Sequence, residues 1–307
     1  MKVNWRGVLP AITTPFTAEL AVDHEFLAKH CAWLVDSGCG AIVPLGSLGE
    51  SATLSFEEKI AIVQTCRRGV SDRVPVVAGI AALSTAEAVR LARRAAEAGV
   101  GGLMVLPPYV YSTDWREMKA HVGAVIAATG LPCMLYNNPV AYKTDFLPEQ
   151  IAELAAEHVN LQAVKESSTD VRRVTAIRAL IGERLDILVG VDDAIVEAIA
   201  AGAVGWIAGL VSAFPAESVA LYRYAIEGRT QEAFELYRWF LPLLRLDTVP
   251  KFVQLIKLAQ EAVGMGNARV RPPRLEIVGS ELAEARAVID TALATRPKVQ
   301  VSYAGQR

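Results

Sequence analysis

The chain is short of charge. Of its 307 residues 21% are charged and 52% hydrophobic, where a soluble domain carries roughly 25% charged residues. The charge present is balanced, 31 basic against 33 acidic residues, and dispersed along the sequence. With no basic stripe to release counterions, nucleic acid is excluded as a partner. Four cysteines (Cys31, Cys39, Cys66, Cys133) offer no CxxC pair and no ligand spacing. That points to reduced, buried thiols in a cytoplasmic protein. The four histidines, His24, His30, His121 and His158, fall in helical stretches without shared spacing. They read as non-catalytic, and a metal site has no support. No GxGxxG follows the first apolar run, which counts against a doubly wound nucleotide-binding sheet. No apolar stretch of signal-peptide length precedes the first prolines. One uncharged segment, 198–216, does have the length of a membrane span. Gly202, Gly205 and Gly209 punctuate it and no second such segment exists. A buried helix end, a turn and a buried strand account for it, and no membrane partner is expected.

What the chain has is a repeating alternation. Short apolar runs begin near Val8, Ala41, Val74, Gly102, Cys133, Leu161, Asp186 and Gly205, each followed by an amphipathic stretch. Runs that are continuously apolar belong to strands buried on both faces, as in a parallel sheet covered by helices. The quartets Ser55-Phe56-Glu57-Glu58 and Ser84-Thr85-Ala86-Glu87 fit the capping box that starts a helix. Eight such units predict an α/β fold, a (β/α)8 TIM barrel. About 95 residues follow the eighth run, too many for one closing helix. Helices are predicted over 214–228, 230–246, 249–265 and 280–295, the last three forming a C-terminal appendage. The expected division is a barrel with the catalytic site over 1–228 and a helical extension over 229–307, with a frayed tail in the last dozen residues.

In such a barrel chemistry sits where strands end. Lys165 is one of only nine lysines and closes the apolar run Leu161-Gln162-Ala163-Val164. Burying its ammonium costs desolvation, and the neutral amine is the form that attacks a ketone to make an imine. Pairing with Glu166 is the structural alternative. Tyr136 ends the fifth run, where a phenol can move protons; a core aromatic is its alternative. Gly46-Ser47-Leu48-Gly49 is a glycine-flanked turn whose amides and Ser47 hydroxyl can hold a carboxylate. Asp192 and Asp193 read as caps of the following helix.

Taken together, Gly46-Ser47-Leu48-Gly49-Glu50, Tyr136-Asn137-Asn138-Pro139, Val164-Lys165-Glu166 and Gly190-Val191-Asp192-Asp193 resemble the pyruvate-dependent class I aldolases. That family includes dihydrodipicolinate synthase, N-acetylneuraminate lyase and the 2-keto-3-deoxy sugar acid aldolases and dehydratases. The resemblance runs from about Gly7 past Arg274. It implies a lyase that forms a covalent imine between Lys165 and a small 2-oxo acid, with no further cofactor. Tyr136 then carries protons, and Ser47 with the amides of Ser47 and Leu48 binds the carboxylate. Gly190 and Ile207 line the base of the site, and Tyr109, Tyr111 and Asn138 are further candidates. A homotetramer or homodimer is implied.

Three departures stand out. Leu48 replaces a second hydroxyl, Ala141 replaces an arginine of the synthases, and Val110 replaces their second tyrosine, for which Tyr111 is a substitute. Losing a carboxylate clamp and a proton relay argues against a true synthase. The expected reaction is thus C–C cleavage, dehydration or deamination of a small 2-oxo acid or its cyclic imine, nearest to the 4-hydroxy-1-pyrroline-2-carboxylate deaminases. Dihydrodipicolinate synthase and keto-deoxy sugar acid aldolase or dehydratase are the alternatives, with a non-catalytic metabolite-binding barrel a minor one.

Overall fold

The computed structural model describes residues 3–108 and 114–299. The expected frayed end falls mostly outside them. Seven of the eight apolar runs form strands: β1 Gly7–Pro10, β2 Val77–Ile80, β3 Gly102–Val105, β4 Cys133–Asn137, β5 Leu161–Glu166, β6 Asp186–Val189 and β7 Gly205–Ala208. All pair in parallel, in the order β1-β7-β6-β5-β4-β3-β2. The run at Ala41 departs from expectation and is not a regular strand. It makes single bridges, Val43 to Ala11 and Ile42 to Val76. Pro44 has no N–H to donate, and Leu45 turns left-handed at φ 67°. The segment still joins both edges of the sheet. Val43 N donates to Pro10 O at 2.9 Å and Val77 N to Ile42 O at 2.9 Å. The result is a curled, TIM-barrel-like α/β fold.

Helices cover the outside: α1 His24–Asp36, α2 Phe56–Val70, α3 Thr85–Glu97, α4 Trp115–Ile126, α5 Pro139–Tyr142, α6 Pro148–Glu157, α7 Arg172–Ile181, α8 Ile195–Ala200 and α9 Pro215–Ile226. Three more follow, α10 Thr230–Leu244, α11 Phe252–Ala262 and α12 Gly279–Ala294. The Ser55–Glu58 capping box forms in both directions. At α3 the Ser84 hydroxyl caps Glu87 N, and no reciprocal bond accompanies it among the described residues. The predicted start at Val249 moves to Phe252, since Pro250 holds its predecessor away from helical ψ. The uncharged segment 198–216 is the end of α8, a turn, β7 and the start of α9. No helix among the described residues is long and apolar enough to cross a membrane. All four cysteines are free and buried, and no group of His, Cys, Asp and Glu among the described residues could hold a metal.

His30 illustrates how the core treats polar groups. It stacks between Phe26 and Trp33, and its Nε2 meets Ser212 O at 2.8 Å. Its Nδ1 is buried without a partner, so a proton there has nowhere to share its charge. Burial pushes its pKa down from 6.5 to about 4. Between these values the unfolded chain binds a proton that the folded one refuses, so stability falls as pH drops from 6.5 towards 4. The residue accounts for about 3 kcal/mol of that loss. Urea titrations at pH 7, 5.5 and 4.5 should show a shallower loss in His30→Gln, and an unchanged slope would assign the loss elsewhere.

Candidate active site

Successive side chains of a strand point to opposite faces, and this alternation builds the site. Tyr136 on β4 and Lys165 on β5 are register partners, so their side chains share the inner face. Their neighbours Asn137 and Glu166 share the outer one. There Glu166 accepts from Asn137 Nδ2 at 3.0 Å and Ser168 N at 2.7 Å. Asn137 Nδ2 also reaches Asp145, which Arg173 grips with both terminal nitrogens. Burial raises the Glu166 carboxyl above its usual range, opposed by these donors and by Arg173. This outer network fixes the strand ends. It also removes the alternative in which Lys165 pairs with Glu166, and no salt bridge to Lys165 forms among the described residues.

Inside, Lys165 Nζ lies 4.0 Å from the centre of the Tyr136 ring. Both residues are buried, 6% and 5% exposed. The space above them is a cavity of about 440 Å³, the size of a small-metabolite pocket. Ser47, Leu48, Asn138, Gly190 and Ile207 all line it, so these sequence-predicted residues converge on one place. Tyr109 and Tyr111, with Val110, lie outside the described residues. Gly190 must lack a side chain: a Cβ there would sit 2.3 Å from Lys165 Cε and 2.1 Å from Ser167 Oγ. Asn138 Nδ2 donates to the Tyr136 hydroxyl at 3.0 Å, while its Oδ1 caps α5 through Ala141 N.

The turn 46–50 stands opposite. Leu45 and Glu50 flank it in left-handed conformations, φ 67° and 53°, backbone strain of the kind that sites retain. The amides of Ser47 and Leu48 enter no backbone hydrogen bond among the described residues, which leaves them free for an anion.

The sequence reading missed several groups. The Tyr142 hydroxyl hydrogen-bonds Ser47 Oγ, and its ring packs edge-on against Tyr136 with centres 5.7 Å apart. Only its place six residues after Tyr136 hinted at this. Asp247, Thr248, Val249 and Pro250 enter the cavity wall from beyond α10. Asp192 is a correction. It caps no helix but is fully buried, accepting from Trp206 Nε1 at 3.2 Å, Gly209 N at 3.2 Å and Leu210 N at 2.9 Å. Burial pushes its pKa up to about 6, against these donors and Lys165. Its partners stand 14 to 18 residues downstream, beyond the reach of a local capping rule.

Against this geometry, residues 4–292 match the dihydrodipicolinate synthetase family. The chain belongs to that family. Members work through a covalent imine between lysine and pyruvate without an added cofactor. The chain is 32% identical over 285 residues to the 4-hydroxy-tetrahydrodipicolinate synthase of Citrifermentans bemidjiense, covering 93% of this chain and 98% of the relative. The synthase of Agrobacterium fabrum is 34% identical over 289 residues, covering 94% and 97%. The solved structure of the chloride-inhibited dihydrodipicolinate synthase from Acinetobacter baumannii, complexed with pyruvate, superposes with a TM-score of 0.90. It is 26% identical, with 94% of this chain and 99% of that one covered. These names favour the synthase alternative over the deaminase expected first.

Proposed function

We propose that the protein is a class I lyase that binds pyruvate or a pyruvate-derived 2-oxo acid as an imine on Lys165. The observation that carries this reading is Lys165 Nζ above the Tyr136 ring, in one cavity with the Ser47–Leu48 turn. The substrate carboxylate docks on the turn's amides and the Ser47 hydroxyl. The amine then attacks C2, the carbinolamine loses water, and the imine draws electrons from C3. Tyr136 moves protons at this carbon, with the Ser47–Tyr142 hydroxyl pair beside it as a relay in place of the tyrosine that Val110 lacks. The resulting enamine adds to an aldehyde, and the relatives' name makes aspartate semialdehyde the first acceptor. A second reading, dehydration or deamination of a 4-substituted 2-oxo acid or its cyclic imine, is favoured by Ala141. It lines the cavity where the arginine of the synthases would stand.

Residues 229–307 act in this reading as an extension of a barrel over 1–228, contributing the wall around Asp247. An assembly of two or four copies belongs to the same proposal.

Borohydride reduction in the presence of pyruvate, followed by peptide mapping, tests the imine. One reduced pyruvyl group is expected on the peptide carrying Lys165, and its absence would overturn the mechanism. Turnover of pyruvate with aspartate semialdehyde at ordinary enzymatic rates decides for condensation. Trapping without such turnover decides for elimination.

A further inference from the structure

Asp247 has no place in the chemistry above, yet it sits in the wall of the same cavity as Lys165. It ends the short 3-10 turn Arg245–Asp247 that follows α10. Its carboxylate lies over the backbone of Gly209: a Cβ at Gly209 would stand 2.2 Å from Asp247 Oδ1. The other side of that backbone is held by Asp192, which takes the Gly209 and Leu210 amides and the Trp206 indole. The two acids are therefore unequal. Asp192 is saturated with donors, while Asp247 Oδ1 is buried with no hydrogen-bond partner. Burial and the neighbouring Asp192 raise the Asp247 carboxyl well above its usual range, with Lys165 opposing. An orphaned polar atom in a ligand cavity costs stability unless a ligand satisfies it. Ser167 Oγ is a second such atom in the same wall.

We infer that Asp247 is a specificity-determining residue which hydrogen-bonds an oxygen on the carbon beyond C3 of the imine-bound substrate. This rests on the imine reading of Lys165, and it serves both directions considered for it. Adding an enamine to an aldehyde turns the aldehyde oxygen into a hydroxyl at C4, and an elimination begins from a substituent near that position. A protonated carboxyl donates to such an oxygen, whereas a methyl group offers it nothing. Leaving a buried donor unpaired is how a site rejects the analogue that lacks the hydroxyl.

Three probes separate the possibilities: pyruvate, 2-oxobutyrate and 4-hydroxy-2-oxobutyrate. Each is trapped with borohydride over a concentration series, and the half-saturating concentration is read from the mass of the adduct. The wild-type protein should take the hydroxylated acid about tenfold better than 2-oxobutyrate, the worth of one net hydrogen bond. In Asp247→Ala the ratio of half-saturating concentrations for the two four-carbon acids should fall to within about twofold. Asp247→Asn keeps a donor of similar shape and should retain most of the preference. A preference that survives in Asp247→Ala overturns the inference, as does an equal weakening of all three probes. If the wild-type protein traps no pyruvate, the imine reading itself fails.

Discussion

Replacing Lys165 with alanine is expected to leave the fold intact and to remove every trace of covalent 2-oxo acid adduct. Lys165 is the one lysine lining the cavity among the described residues. Of the two other buried amines, Lys257 is held 2.6 Å from Glu50 with its side chain 2% exposed, and Lys59 lies on α2 away from the cavity wall, so the adduct has nowhere to migrate. Turnover should fall on the order of 10⁴-fold or more, because removing the nucleophile of a covalent mechanism removes the pathway along with its rate. Stability should change by no more than about 1 kcal/mol. The alanine loses packing against Tyr136, while the fold is relieved of a buried amine that no carboxylate pairs with. Lys165→Arg separates charge from nucleophilicity: it keeps a cation beside Asp192 and Asp247, and a guanidinium forms no imine. It should trap nothing. Borohydride trapping, turnover and a urea titration on the same preparations check all three statements. Trapping that persists in Lys165→Ala would place the reactive amine elsewhere.

The fold was legible wherever the determinant was local. Strands buried on both faces must be apolar throughout, so β1 to β7 announced themselves, and alternation then placed Tyr136 and Lys165 on one face. The segment 41–44 was legible as a run but not as an irregular one, because its irregularity turns on one proline and one left-handed leucine. What stayed hidden was decided by contacts across the chain. Asp192 resembles a cap in sequence because two acids precede a helix, yet its partners come from β7 and the turn after it. Asp247 lies 82 positions beyond Lys165, in the short gap between the helices predicted over 230–246 and 249–265, and nothing in its neighbours marks it as part of a cavity. Tyr142 carries no local mark either, because its partner, Ser47, is 95 residues away.

The longest-range of these contacts carries the last expected effect. Lys257 on α11 and Glu50, at the end of the turn 46–50, meet at 2.6 Å across 207 residues of sequence, with side chains 2% and 0% exposed. Lys257 Nζ also donates to Arg269 O at 2.6 Å and lies 4.3 Å from the centre of the Phe16 ring. Glu50 takes Arg271 N on its second oxygen. Burial pushes the Lys257 pKa down to about 8, against the pull of Glu50, so desolvation outweighs the attraction between the two charges. The pair as a whole is thus a weak source of stability, but either half alone is costly. Lys257→Met strands a buried carboxylate and should destabilise the protein by about 3–5 kcal/mol. Because Glu50 holds a left-handed backbone at the end of the turn, the same variant should raise the pyruvate concentration needed for trapping. Adding Glu50→Gln removes the stranded charge while keeping an acceptor for Arg271 N, and most of the lost stability should return. Urea midpoints of the wild type, both single variants and the double variant form the cycle that measures this. Strictly additive losses would mean that the extension and the turn are not coupled through this pair.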